Sequence, residues 1–203
     1  MTDEQERAVF GDLVRWEGAV PWLYLDVRGF PTTGLGFLVK TVADSEELPW
    51  KNITAGREAT QDEVKLDYDR VLNMRPALPA ARYRSAGTRL ELTSAEVVAR
   101  AIRRLREEFL PALVRIFPDF DIFPFPAQAA LIDLVWNLGA GRDGDPVLGR
   151  KATGLRAFSK LRLAVNNRDW IAASACSRRR TSRDARNEWT ATHFIEASKE
   201  QPT

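Results

Sequence analysis

The chain has 203 residues, 44% hydrophobic and 29% charged, a balance that excludes a disordered tail and fits a single globular domain over 1–203. No stretch approaches the ~18 continuous apolar residues of a membrane span, and the single cysteine, Cys176, excludes an internal disulfide. The net charge of +2 is unevenly spread: residues 151–203 hold 11 Lys/Arg against 5 Asp/Glu, and residues 1–150 hold 19 against 23. The basic C-terminal part suits either an anionic polymer or a solvated helix surface. The polar, acidic start (Met1 to Arg7) lacks the basic-then-apolar order of a signal peptide.

Thr2 and Asp3 are N-caps for a first helix, with Ala8, Val9, Leu13 and Val14 as its apolar stripe. That helix is expected to end near Glu17-Gly18, since Gly ends helices and Pro21 follows. Residues 22–39 are rich in aromatic, β-branched and Gly residues, broken by Asp26–Gly29 and Gly34–Gly36, and predict a small hairpin or meander. Thr60 with Glu63 opens a helix through about Asn73, and Pro76, Pro79 and Gly87 mark a loop. Thr93 with Glu96 opens another helix, running toward Phe117 with a kink expected at Pro111. Phe123–Pro126 reads as a rigid connector, and the apolar run Ala127–Leu138 as a buried central helix ended by Gly139 and Gly141. Gly144–Pro146 is a loop, followed by helices expected over Gly154–Val165, Arg168–Ser177 and Ser182–Ala197. The sum is an α+β, predominantly helical protein, with a β lobe at about 18–60 and a helical lobe at about 61–203.

The chemistry concentrates in Glu17–Gly36. A carboxylate closes a helix, a second carboxylate follows nine positions on in a Gly-rich turn, and a threonine lies six beyond that. Two carboxyl groups on separate elements can flank a glycosidic bond, one protonated as acid and the other ionised. A desolvated helix end for Glu17 and a wetter turn for Asp26 would separate their protonation states. The bland readings are a solvent-exposed helix-end acid for Glu17 and an ordinary β-turn for Asp26 and Gly29.

Glu17, Gly18, Tyr24, Asp26, Gly29, Thr32, Gly34 and Gly36 are in register with the signature of the phage-type lysozymes, eight positions of twenty without a gap. The segment resembles that family's Glu-Gly, Tyr-x-Asp, Gly and Thr-x-Gly-x-Gly pattern. The resemblance implies a lysozyme-like fold and a muramidase that cleaves the β-1,4 bond between N-acetylmuramic acid and N-acetylglucosamine. It implies Glu17 as general acid, with Asp26 and the Thr32 hydroxyl holding the attacking water, and hence inversion. Thr33 is the competing hydroxyl, and spacing favours Thr32. Tyr24, Gly36, Phe37 and Leu38 would contact the sugar. Phe37 stands where the family usually has His, and the only histidine, His193, lies in the last helix.

A second match, Gln128–Gly139, resembles the family's central helix and implies that Trp136 and Asn137 contact the glycan. The bland reading of Trp136 is core packing. A C-terminal arginine of the family pairs with acids beside the general acid; Arg186 matches that place, with Arg183 second, and the rest of the Arg178–Arg186 cluster reads as surface or wall-binding charge. The resemblance covers 5–40 closely and 120–197 loosely, leaving 41–119 as an enlarged β-lobe loop with an extra helix.

One His, one Cys and scattered acids form no metal-ligand spacing, and neither metal nor cofactor is expected. The expected partner is peptidoglycan, with no nucleic acid and a monomeric chain; the arginine run lacks a nucleic-acid motif. Phage endolysin released through a holin and injected antibacterial effector both fit, and the second would imply a cognate immunity protein. The rival readings are a catalytically inactive wall-binding or phage-tail relative, and a lytic transglycosylase, which needs one acid only.

Overall fold

A computed structural model describes residues 1–84, 89–145, 147–180 and 184–200. The protein is α+β and predominantly helical, and its described residues include two small three-stranded sheets. It divides into two compact units, Asp12–Ala101 and a second made of Met1–Gly11 with Ile102–Thr203. The first unit therefore extends some forty residues beyond the 18–60 β lobe expected from sequence. Among the described residues no helix is long and apolar enough to cross a membrane.

Helix α1 (Asp3–Glu17) is capped reciprocally: the Thr2 hydroxyl accepts the Gln5 N–H, and the Gln5 side-chain oxygen accepts that of Thr2. It stops after Glu17 because Gly18, at φ 70°, takes the left-handed turn while its N–H still reaches the Val14 carbonyl at 3.0 Å. Of the expected stripe, Val9 and Leu13 are buried and Ala8 is exposed. Glu6 is buried as well, because its carboxylate is held by Arg106 at 2.6 Å.

In the Asp12–Ala101 unit, β1 (Val20–Leu25), β2 (Pro31–Gly34) and β3 (Phe37–Leu38) form an antiparallel meander. Tyr24 pairs with Thr32, and Thr32 with Leu38. Side chains directly opposite one another share a face, and faces alternate along a strand. Tyr24, Thr32 and Leu38 therefore share one face, while Leu25, Pro31 and Thr33 turn to the other and are buried.

Residues 41–101 hold more structure than the loop and the two helix starts, at Thr60 and Thr93, expected from sequence. Helix α2 (Val42–Glu46) has a full capping box from Thr41 and Asp44. A second sheet, in the order β5-β4-β6, joins β4 (Lys51–Asn52), β5 (Arg57–Glu58) and β6 (Leu90–Glu91). Helix α3 (Gln61–Leu72) starts at the predicted Thr60/Glu63 box. Glu63 also accepts from Arg57 at 2.8 Å and Asn52 at 2.9 Å, so one carboxylate ties the helix start to the second sheet. Arg57, with the Thr60 N–H, holds the Glu63 carboxyl down at about 2. The loop position Gly87 lies outside the described residues.

Helix α4 (Ser94–Arg104) starts at Thr93, whose hydroxyl accepts the Glu96 N–H, and passes through a π-helical turn, Leu105–Phe109, into α5 (Leu110–Ile116). Pro111 lacks an N–H and would clash with the carbonyl four residues back, and the wider π turn lies just ahead of it, where the kink is expected.

In the other unit, α6 (Phe125–Leu138) is buried at every position from Pro126 to Trp136. It begins inside the predicted connector, since proline fits the first turn of a helix. The expected helix over Gly154–Val165 resolves into a 3-10 turn, Gly154–Ala157, and α7 (Ser159–Asn166). Helices α8 (Trp170–Cys176) and α9 (Asp184–Lys199) close the fold, with Trp170 edge-on to Phe123 at 5.1 Å and stacked on Phe194 at 6.3 Å. The predicted start of the last helix at Ser182 lies outside the described residues.

Asp133, the one charged residue of α6, is 2% exposed. It accepts from Arg179 Nη1 at 2.6 Å, Arg186 Nε at 2.8 Å and Thr190 Oγ1 at 3.0 Å. Asn187 holds Arg179 from both sides, its Oδ1 accepting the Arg179 N–H and its Nδ2 donating to the Arg179 carbonyl. Arg179 is thus interior, against its expected place in a surface cluster, because a buried carboxylate needs charged partners. Removing one partner of such a network leaves the others desolvated and unmatched. Asp133→Ala is expected to lower stability by about 3–5 kcal/mol in urea unfolding; a loss under about 1 kcal/mol would contradict this role.

Candidate active site

Glu17, Tyr24, Asp26 and Thr32 all belong to the Asp12–Ala101 unit, on the end of α1 and the first meander. Asp26 heads the β-turn linking β1 to β2. Its carbonyl accepts the Gly29 N–H at 3.1 Å, and Gly29 takes φ 83°. Its Oδ1 accepts the N–H groups of Arg28 at 2.8 Å and Phe30 at 2.9 Å. The turn reading of Asp26 and Gly29 is therefore fulfilled. It leaves Oδ2 without a hydrogen bond among the described residues, so the same carboxylate can also hold a water.

Thr32 is 3% exposed, and its hydroxyl donates to the Phe30 carbonyl at 2.9 Å. That bond fixes the proton and leaves the oxygen lone pairs as acceptors. The Phe30 residue thus clamps both groups: its N–H holds Asp26, and its carbonyl holds Thr32. Thr33, the competing hydroxyl, is fully buried on the opposite face and directed to the Val20 carbonyl at 3.3 Å.

Tyr24 stands opposite Thr32, its ring 6.5 Å from that of Tyr83. Burial pushes its phenol up to about 12, and the charges of Glu17 and then Asp26 add to the shift. Both carboxylates therefore lie within electrostatic reach of one phenol. Glu17 itself is exposed and Asp26 half-buried, reversing the desolvated-acid, wetter-base order expected from sequence. The reversal follows from local placement: Glu17 occupies the last turn of α1, where Gly18 and Ala19 are exposed too.

The tight turn between β2 and β3 needs its glycines for different reasons. A Cβ on Gly34 would lie 2.7 Å from the Phe37 ring, whereas one on Gly36 would meet open space, and φ 77° alone calls for glycine there. Phe37 thus packs over the Gly34 backbone; it pairs with Thr33, which puts it on the face opposite Tyr24 and Thr32, against its expected contact with the sugar. Leu38 is 46% exposed on the face shared with Tyr24 and Thr32.

The other expected site residues lie in the second unit. Trp136 is 8% exposed and packs at 5.0 Å on Phe109, with Arg104 over both rings, which is the core-packing reading. Asn137, expected to contact the glycan, is exposed. Arg186 is 5% exposed and committed to Asp133, so an interior ion pair replaces its expected place among substrate contacts. Arg183 lies outside the described residues. Sequence reasoning missed two residues of the first unit. Phe30 is 48% exposed beside Asp26, and Tyr83 is fully buried, donating to the Arg75 carbonyl at 2.7 Å as it covers Tyr24. An aromatic between Gly29 and Pro31 was a readable signal for Phe30, whereas Tyr83 carried none.

No protein-family model matches the chain, and no curated protein matches it.

Because the folded Tyr24 phenol ionises above its ordinary value of 10, it contributes stability in full below pH 10. That contribution is lost as pH rises toward 12, since the unfolded chain releases the proton first. Ring-carbon NMR of labelled tyrosine should place the Tyr24 midpoint near 12, and Glu17→Gln and Asp26→Asn should each lower it. A wild-type midpoint at 10, or one indifferent to both substitutions, would contradict the shared environment.

Proposed function

We propose that this protein is a peptidoglycan muramidase with a lysozyme-like fold, using Glu17 as general acid and Asp26 with Thr32 as the water-holding pair. The observation that carries the reading is the hairpin geometry: Phe30 clamps both Asp26 and Thr32, and Thr32 stands directly across the ladder from Tyr24. Inverting glycoside hydrolysis uses two carboxylates, one as acid and one holding a water, and Glu17, Asp26 and the Thr32 hydroxyl supply those groups in this reading. In this reading Glu17 protonates the leaving oxygen, and the bound glycan supplies the cover that the free protein lacks around it. A water bound by Asp26 Oδ2 and Thr32 Oγ1 attacks the anomeric carbon from the opposite face, and Asp26 draws off its proton. Tyr24 and Leu38, on the Thr32 face, border the sugar in this reading, with Gly36 at the turn between β2 and β3.

The scissile bond lies outside the cytoplasmic membrane, so the enzyme acts in the periplasm or beyond, as a holin-released endolysin or an injected effector. A cognate inhibitor belongs with the second case. The exposure of Glu17 favours a second reading, a wall-binding relative without hydrolytic activity. The turbidity of purified peptidoglycan separates the two. Wild type should clear it, releasing muropeptides with reducing ends, and Glu17→Gln and Asp26→Asn should each be slower by about 100-fold or more. Anhydro-muropeptides would make it a transglycosylase, and pelleting on the wall without clearing would establish the non-hydrolytic reading.

A further inference from the structure

In the helical unit, residues 142–145 and 147–153 form a two-legged arm that the proposed hydrolysis does not use. Asp145 and Arg150 exchange backbone hydrogen bonds, both 2.8 Å, and the Thr153 N–H donates to the Arg142 carbonyl at 3.0 Å. The arm leaves the body through a neck where backbone packs on backbone. A Cβ on Gly141 would lie 1.8 Å from the Thr153 carbonyl oxygen, and one on Gly154 2.6 Å from that of Gly139. Asp143 anchors one leg to Arg156 at 2.7 Å and Arg162 at 3.1 Å. At the far end, Asp145 Oδ1 accepts the N–H groups of Val147 and Leu148, at 3.0 and 3.1 Å. The arm is built and braced, yet it presents Val147 at 92% exposure and Leu148 at 60%.

An ordered apolar tip gains nothing from water, and its surroundings indicate what covers it. The exposed side chains of Arg142, Arg150 and Lys151 flank the tip and form no ion pair among the described residues. The arm's own acids are already engaged, Asp143 by two arginines and Asp145 by the tip backbone. Along the arm the order is therefore apolar end, then cationic legs. Arg150 lies two residues behind Leu148, across the left-handed turn at Gly149 (φ 63°). An anionic leaflet has the same order in depth, acyl chains beneath a layer of phosphates, with interfacial side chains seated about 5–10 Å deep. We propose that the 142–153 arm docks this protein on an anionic lipid surface, with Val147 and Leu148 inserted and Arg142, Arg150 and Lys151 on the phosphates. The inference does not rest on the muramidase reading.

Cosedimentation of the full chain with vesicles tests it, comparing equal parts phosphatidylglycerol and phosphatidylcholine with phosphatidylcholine alone. Wild type should bind the anionic vesicles, bind the neutral ones far less, and weaken with added salt as screening grows. The double variant Val147→Ser/Leu148→Ser should lose about tenfold or more in partitioning. The triple variant Arg142→Gln/Arg150→Gln/Lys151→Gln should lose about 100-fold. All five side chains are exposed, and unchanged thermal unfolding would show that each variant keeps its fold. Equal binding by wild type and either variant, or no binding to anionic vesicles, would overturn the proposal. Binding through the tip to purified peptidoglycan but not to lipid would overturn it too.

Discussion

Oδ1 of Asp26 accepts two backbone N–H groups, and the arrangement of the candidate site descends from that fork. It closes the turn between β1 and β2, and the closed turn sets the register in which Tyr24 faces Thr32. A slip of one residue would send Thr32 to the buried face and bring Thr33 forward. The fork also consumes one carboxylate oxygen and leaves the other, so a residue that shapes the hairpin can still act on a ligand. Its part in turn geometry therefore does not displace the chemistry proposed for this side chain.

The two carboxylates differ in how they are held. Asp26 is gripped by its own turn and by Phe30, which also receives the Thr32 hydroxyl. Glu17 ends a helix at a left-handed glycine and is exposed. A general acid works best when its protonated form is favoured, and burial under a bound glycan is one way to favour it. The proposed enzyme thus has its water-holding side hydrogen-bonded and at least half-buried, and an exposed acid that bound substrate would cover.

Elements with strong local signals were legible in the sequence. The end of α1 at Gly18, the meander, the Thr60/Glu63 box and the apolar α6 each carry a period, a cap or a glycine that specifies them. The second sheet was not legible, because its strands are two residues long and too short for any alternation to register. The π turn before Pro111 answers a clash between residues four apart, and composition does not reveal which compromise a helix adopts. The interior place of Arg179 and Arg186 was hidden for another reason. Three consecutive arginines read as surface charge unless the buried carboxylate that recruits them, Asp133 on a distant helix, is known. The positions of Glu17, Asp26 and Thr32 were readable; the exposure of Glu17 was not, since it depends on what packs around a helix end.

The claim that Asp26 and Thr32 hold a water opposite Glu17 has a stereochemical consequence, because attack from the far face inverts the anomeric carbon. The most direct measurement is proton NMR of the reducing end as the enzyme releases it from purified β-linked glycan strands, read before mutarotation. The account predicts the α anomer as first product. The β anomer, or no reducing end at all, would contradict it.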